Sequence, residues 1–180
     1  SQMDCAACHH SLDASGWRQE QPHPVKAGFP KWSPARFIIL RHIVSVFAPE
    51  KQEQLNDAVT RLASYISKIN TPTTTVAAEA TNLAEMMASI IPKIVVATMN
   101  DAVNKNLLDK IMNDIPYLNG GDIHSVEQAV MGINTLVVFM KGNNPSLADR
   151  RVTETINALY DNIQQSENYD REKFSADMEA

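Results

Sequence analysis

The sequence predicts a mainly α-helical protein in which an irregular N-terminal segment, residues 1–33, precedes a bundle of five or six helices over residues 34–180. The two parts differ in composition. Both cysteines, both tryptophans and three of the nine prolines lie in the first 33 residues, where no regular apolar spacing occurs and where the prolines exclude a continuous helix. The remainder is rich in Ala, Leu, Ile, Val and Met, with apolar residues at helical steps of three and four.

The first two helices are predicted from caps, prolines and apolar spacing. Ser33 is a suitable N-cap and Pro34 a suitable first helical residue, and this helix should end near Ala48. Pro49 begins the second helix, which the turn-forming residues 70–72 should end. The apolar positions of the two helices are Phe37, Leu40, Ile43, Val44, Phe47, Leu55, Val59, Leu62, Ile66 and Ile69.

A third helix is predicted from about Thr75. Pro92 should kink or break it, because proline lacks the backbone N–H that a helix interior requires. Further helical turns are expected from Lys93 to Asn113. The apolar positions across this region are Val76, Leu83, Met86, Met87, Ile90, Val96, Met99, Val103, Leu107 and Ile111.

The C-terminal third contains a loop, two helices and a tail. Residues 116–122 include two adjacent glycines and should form the loop, after which Ser125 and Gln128 have the spacing of a capping box. Residues 142–145 should form a turn, and the polar tail after Ser166 should fray. The apolar positions of the two helices are Val126, Val130, Ile133, Val137, Met140, Leu147, Val152, Ile156, Leu159 and Ile163.

Composition argues against several classes of function. A net charge of −5 does not suit a general nucleic-acid binder, which carries a basic face. No glycine-rich phosphate loop or catalytic signature is present, and no uninterrupted apolar run approaches the roughly 20 residues of a transmembrane helix. The chain starts at Ser1 with no visible signal peptide, so we expect either a removed leader or a segment of a longer protein.

One motif carries specific chemistry, and it marks residues 1–33 as a c-type haem-binding segment. Cys5, Cys8 and His9 form the pattern Cys-x-x-Cys-His, the attachment signature of c-type haem. Positions i, i+3 and i+4 share one face of a helical turn. Two thiols there can form thioethers to the haem vinyl groups while His9 binds the iron as proximal ligand. This arrangement arises by chance in about one of 3,000 chains of this composition.

Other chemistries fit the cysteines less well. A disulfide between Cys5 and Cys8 would close a small, strained loop. A zinc site built from these cysteines with His10 and His23 lacks a second compact ligand pair. A thioredoxin-like redox pair requires a βαβ setting, which the helical pattern does not provide.

Several further residues are candidates for contacting a haem. His10 is either a solvent-exposed neighbour of the ligand or a ligand of a second haem, because adjacent residues on a turn cannot bind one iron. His23, between two prolines, or His42, on the first helix, is a candidate sixth ligand. The alternatives are an ordinary loop histidine and a helix histidine near the edge of the core.

Aromatic and basic side chains complete the candidate set. Trp17 and Trp32 are candidate haem-packing groups or ordinary core aromatics. Arg18 can pair with a haem propionate or remain solvated. His124 starts a helix and is expected at the surface.

Residues 3–45 resemble the last haem segment of large multihaem cytochromes c, related to the hydroxylamine-oxidoreductase and nitrite-reductase-like group. The resemblance is carried by residues 3–12, with their Cys-x-x-Cys-His-His, by Gly16-Trp17-Arg18-Gln19 and by residues 28–32. In such proteins a proline-containing loop and a helical C-terminal domain follow. The chain departs from them in having one haem motif only. The double histidine also resembles small tetrahaem cytochromes, in which the second histidine binds a neighbouring haem.

These observations predict electron transfer through covalently bound haem c. An electron-transfer protein or a non-catalytic part of an oxidoreductase is favoured over an enzyme. The expected partners are redox proteins or further haem domains, with an oligomer through the helices left open. The resemblance implies an exported protein in the periplasm or an equivalent compartment. The alternatives are a haem enzyme or gas or redox sensor with an open iron site, and a helical interaction domain with a stapling metal site.

Overall fold

The computed structural model describes residues 32–114, 118, 123–143, 150–164 and 169–179. Seven α-helices and a short 3₁₀ helix account for the regular structure of these residues, which contain no strand. The predicted mainly α-helical fold is therefore confirmed.

The helices belong to two compact units that meet in sequence between Thr98 and Met99. The sequence predicts one bundle over residues 34–180, and nothing in its composition marks this division. The residues around the division contain neither glycine nor proline between Lys93 and Asp101, which are the usual signals of a boundary.

The first unit contains three α-helices, α1 (Ala35–Phe47), α2 (Gln52–Ile66) and α3 (Thr73–Val95), with the 3₁₀ helix at Pro49–Lys51. Each α-helix contacts the other two. Their shared apolar cluster consists of Val44, Ala48, Leu55, Ala58, Leu62, Leu83 and Ile90. Burial of each Leu, Ile or Val side chain of this kind contributes about 1.5–3 kcal/mol, so this cluster supplies the main cohesion of the unit.

The start of α1 differs by one residue from the prediction. The helix begins at Ala35, with Pro34 in the flanking position rather than inside it. The Ser33 hydroxyl still accepts the Ala35 backbone N–H, at 3.3 Å, so this serine satisfies one of the free donors at the helix start. A shift of one residue is within the usual scatter of helix boundaries.

Pro92 does not break α3, so of the two predicted effects, a kink or a break, the break is wrong. The helix continues to Val95, and the Val96 N–H donates to the Pro92 carbonyl at 3.3 Å. Proline removes the hydrogen bond of its own nitrogen, and its ring crowds the carbonyl four residues earlier. It does not prevent later N–H groups from bonding, so one further turn forms after Pro92. Val96 and Met99, like Ile69 after α2, consequently lie exposed in connections and not on buried helical stripes.

Two ion pairs join described residues on the surface of the first unit. Arg61 of α2 binds Glu79 of α3, with 3.0 Å between guanidinium nitrogen and carboxylate oxygen, and Lys93 binds Glu50. The hydrogen bond from the Lys93 ammonium lowers the pKa of the Glu50 carboxyl. Exposed pairs of this kind contribute about 0–1 kcal/mol, so the apolar cluster dominates the stability of this unit.

The second unit is built from α4 (Asp101–Met112), α5 (Ile123–Asn143), α6 (Arg150–Gln164) and α7 (Arg171–Glu179). Consecutive helices contact one another, α4 on α5, α5 on α6 and α6 on α7. The five apolar positions predicted for α5 are all buried, which confirms the stripe: Val126, Val130, Ile133, Val137 and Met140.

The helix starts of α4 and α5 differ from the prediction. Helix α5 begins at Ile123, so Ser125 lies inside it and is buried. The predicted capping box is therefore wrong. The cap that was missed is Asn100, whose side-chain oxygen accepts the Val103 N–H at 3.0 Å. Because Asn100 lies within the predicted helical region from Lys93 to Asn113, the sequence does not mark it as the start of a helix.

Residues after Ser166 do not simply fray, because they include helix α7. Phe174 and Met178 stand four residues apart on its inner face and are buried. The Phe174 ring lies 5.9 Å from the Tyr169 ring, measured between centroids. Two apolar residues one turn apart are sufficient to anchor a short helix, although the surrounding composition is polar.

The connection from α6 to α7 is fixed by hydrogen bonds. The Asn162 side chain donates to the Asp170 carbonyl at 2.8 Å and accepts the Asp170 N–H at 3.0 Å. The Asp170 carboxylate accepts the Lys173 N–H at 2.9 Å, which caps α7. Burial raises the pKa of the neighbouring Tyr169 hydroxyl. These hydrogen bonds therefore fix the backbone of Asp170 against α6.

Asn104→Ala should change the free energy of unfolding by less than about 1 kcal/mol. Asn104 of α4 is fully buried, and neither polar atom of its side chain makes a hydrogen bond. Removing an unsatisfied buried amide relieves a penalty of about 1–3 kcal/mol, which offsets the lost packing. Leu107→Ala on the same helix is the matched control and should cost about 2–5 kcal/mol. Urea unfolding measures both, and equal losses would contradict the account.

Helix α5 is the one helix in the described ranges that is long and apolar enough to cross a membrane by length and composition alone. The stretch is Ile123–Gly142, with a mean hydropathy of 1.2, and 44% of its tested window is buried inside the protein. Core helices of soluble proteins pass the same test, so the expected absence of a transmembrane segment stays a prediction.

Candidate functional site

Most of the predicted site lies outside the described residues. This applies to seven of the candidate side chains: Cys5, Cys8, His9, His10, Trp17, Arg18 and His23. Two candidates, Trp32 and His42, lie within the described part of the first unit. Within the described residues, the predicted site is therefore represented only by Trp32 and by His42 on α1.

Trp32 is half-buried immediately before α1. Its ring centroid lies 5.6 Å from that of Phe37, with 52° between the ring planes, a tilted arrangement that aromatic pairs favour. Both rings pack against the apolar cluster of the first unit. Trp32 is thus a core aromatic that fixes where the chain enters α1, and its predicted contact with a haem stays a prediction.

His42 is a buried residue of α1, with 8% of its surface exposed. A helix advances about 100° per residue, so His42 and Val44 point to nearly opposite sides of α1. Val44 belongs to the cluster that α1 shares with α2 and α3. Helix α1 is therefore buried on two sides.

The second face of α1 consists of Ala35, Ile38 and His42, which are spaced three and four residues apart. All three are buried, and Ile38 has no exposed surface. Neither apolar residue of this face belongs to the cluster formed with α2 and α3. An imidazole thus occupies a buried face of small and apolar side chains, a setting in which a polar ring requires a partner.

His42 also takes part in an interaction within the protein, and its backbone carbonyl accepts the Ser45 hydroxyl at 2.8 Å. An internal partner is compatible with metal ligation, because a ligating imidazole commonly uses one ring nitrogen for the metal and donates a hydrogen bond from the other. Among the described residues, no metal-ligand set surrounds His42, so its role as a sixth ligand stays a prediction.

His124, the other histidine in the described ranges, has a different environment. Its side chain is 45% exposed, and its Nδ1 lies 2.9 Å from the Glu127 carboxylate one helical turn along α5. The prediction that His124 lies at the surface is consistent with this exposure. It belongs to the second unit and forms an ordinary surface pair.

Across residues 32–114, 118, 123–143, 150–164 and 169–179, no three His, Cys, Asp or Glu side chains come together to hold a metal ion. Two thiols three residues apart, followed at once by an imidazole, are the donors that covalent haem attachment uses.

Comparison with protein-family models, with curated proteins and with solved structures found no match to this chain.

Proposed function

We propose that this protein transfers electrons through one covalently bound haem c. The observation that carries the proposal is the sequence Cys5-Ala6-Ala7-Cys8-His9, in which the only two cysteines of the chain and an adjacent histidine have the haem-attachment spacing. The bound group would supply one-electron redox chemistry at an iron.

Each residue of the segment has a stated role. The Cys5 and Cys8 thiols would hold the porphyrin covalently, and His9 would bind the iron from one side. His10 would serve a neighbouring haem in a multihaem assembly, as the resemblance to multihaem cytochromes implies. Trp17 and Trp32 would pack against the macrocycle, and Arg18 would pair with a propionate.

A second histidine ligand, His23 or His42, would favour electron transfer over catalysis. An iron held by two histidines would have no open coordination position for a substrate, which suits electron transfer. His42 lies on α1, the first helix of the described residues. An open site would instead favour the alternative, a haem enzyme or a sensor.

The proposed location is the periplasm or an equivalent compartment, because covalent attachment of haem c occurs outside the cytoplasm in the proteins that the segment resembles. Partners would be redox proteins or further haem domains.

The test is the absorption spectrum and redox titration of the full chain, produced with export and haem attachment. We expect sharp α and β bands in the reduced protein, as for low-spin six-coordinate iron, and a reversible one-electron transition. A broad high-spin spectrum would favour the enzyme or sensor instead. Absence of haem absorption, with zinc found by elemental analysis, would overturn the proposal.

A further inference from the structure

We infer that two copies of this chain associate through the outer face of helix α5, with the two α5 helices packed antiparallel. The inference concerns the second unit alone and does not depend on a bound haem. It names a second copy of the chain as the occupant of an apolar helix face that the unit itself leaves exposed.

The outer face of α5 is apolar and exposed. It consists of Gln128, Met131, Thr135, Val138, Phe139 and Gly142. Its three large apolar side chains, Met131, Val138 and Phe139, have 52%, 60% and 50% of their surface exposed. Each of the three lies two residues from a buried position of the same helix, and two residues turn a helix by about 200°. The outer face therefore points away from the core of the unit.

The spacing along the outer face is that of a helix pair. Apart from Phe139, its positions follow one another at alternating steps of three and four residues, the repeat with which one helix packs along another. Residues 128–140 contain no charged side chain. A helix that is apolar on both sides is normally covered on both, and a second helix with the same repeat provides that cover.

Charges at the two ends of the outer face favour a second copy as the partner. Glu127 and Lys141 are fourteen residues apart, which is two heptads, so they share one edge of the helix. A two-fold axis across α5 brings this edge against the same edge of the other copy and reverses its direction. Glu127 of each copy then meets Lys141 of the other. Two pairs of opposite charge form, one at each end of the uncharged stretch.

The present contacts of these two side chains do not prevent that pairing. The Glu127 side chain is 39% exposed and lies 2.9 Å from His124 of the same helix. The Lys141 ammonium donates an exposed hydrogen bond to the Thr153 hydroxyl at 3.1 Å. Exposed contacts of this kind are weak, so both charged groups remain accessible to a second copy.

Sedimentation equilibrium of the full chain over a range of concentrations tests the inference. We expect a reversible equilibrium between monomer and dimer. Val138→Glu should raise the dissociation constant about 100-fold or more, because it places a like charge from each copy in an apolar contact. Val96→Glu is the matched control. It makes the same change at a more exposed valine of the first unit and should leave the dissociation constant unchanged, while circular dichroism should show full helix content in both variants.

Charge exchange tests the antiparallel arrangement. Glu127→Lys alone, or Lys141→Glu alone, sets like charges against each other at both ends of the contact. Either variant should raise the dissociation constant about tenfold. The double variant restores opposite charges across the contact and should return the constant to within about twofold of the wild type.

Three results would overturn the inference. They are a wild-type chain that stays monomeric at every concentration, a Val138→Glu chain that dimerises like the wild type, and a double variant whose dimer is as weak as those of the single variants. A monomeric chain that binds phospholipid vesicles, and loses that binding in Val138→Glu, would assign the outer face to a lipid surface and would equally contradict a second copy.

Discussion

Replacing Cys5 and Cys8 together with serine should abolish covalent haem attachment completely. The thioether bonds require nucleophilic sulfur, and a serine hydroxyl is far too weak a nucleophile to replace it. No other cysteine exists in the chain to compensate. Haem staining after denaturing electrophoresis measures the effect, and we expect a stained band for the wild type and none for the double variant.

The matched control is His124→Ala, which alters an exposed ring in the second unit and should keep full staining. Loss of staining in the control would show that expression, and not the cysteines, limits haem incorporation. Undiminished staining of the double variant would show that the motif does not attach the haem.

Phe174→Ala should lower the free energy of unfolding by about 3–5 kcal/mol, the usual cost of truncating a fully buried phenylalanine. The Phe174 side chain has no exposed surface, and its ring contacts that of Tyr169. Its removal takes away the main apolar anchor of α7 on α6. Urea unfolding followed by circular dichroism gives the energy, and hydrogen exchange should show that protection is lost first in residues 171–179.

Lys173→Ala provides the comparison on the same helix. Its side chain is exposed, and only its backbone N–H bonds to Asp170, so the expected change is within about 0.5 kcal/mol. If Phe174→Ala cost no more than Lys173→Ala, α7 would not be anchored as described.

Apolar spacing predicted helix interiors well and helix ends poorly. The stripe from Val126 to Met140 is buried throughout, because a long amphipathic pattern leaves few ways to fold. Helix α3 continues past Pro92 to Val95, whereas the presence of proline alone allows either a kink or a break at that position. Caps depend on single side-chain hydrogen bonds, and Asn100 carries no signal that distinguishes it from other polar residues in the same run.

The tail and the division into two units depend on tertiary contacts. Helix α7 has only Phe174 and Met178 as buried apolar residues, too few to stand out in a polar stretch. The boundary after Thr98 lacks turn residues. Both features depend on contacts between helices, and local sequence patterns do not specify those contacts.

The candidate site likewise has one part that the sequence identifies and one part that it leaves open. The spacing of Cys5, Cys8 and His9 alone identifies a chemistry, because covalent attachment demands those atoms close together in sequence. A second iron ligand from another part of the chain has no fixed spacing from the motif, so the sequence does not distinguish between His23 and His42 as that ligand. His42 is buried beside Ala35 and Ile38, and His23 lies outside the described residues, so both stay candidates for the sixth ligand.

The mass of the intact wild-type chain in denaturant tests the central claim most directly. Haem held only by iron ligands is released on unfolding, whereas thioether-bound haem remains and resists extraction with acid acetone. We predict a mass that exceeds that of the polypeptide by one haem. A mass equal to the polypeptide alone, or two mass units lower as for a disulfide between Cys5 and Cys8, would contradict a covalently held haem and the electron-transfer role with it.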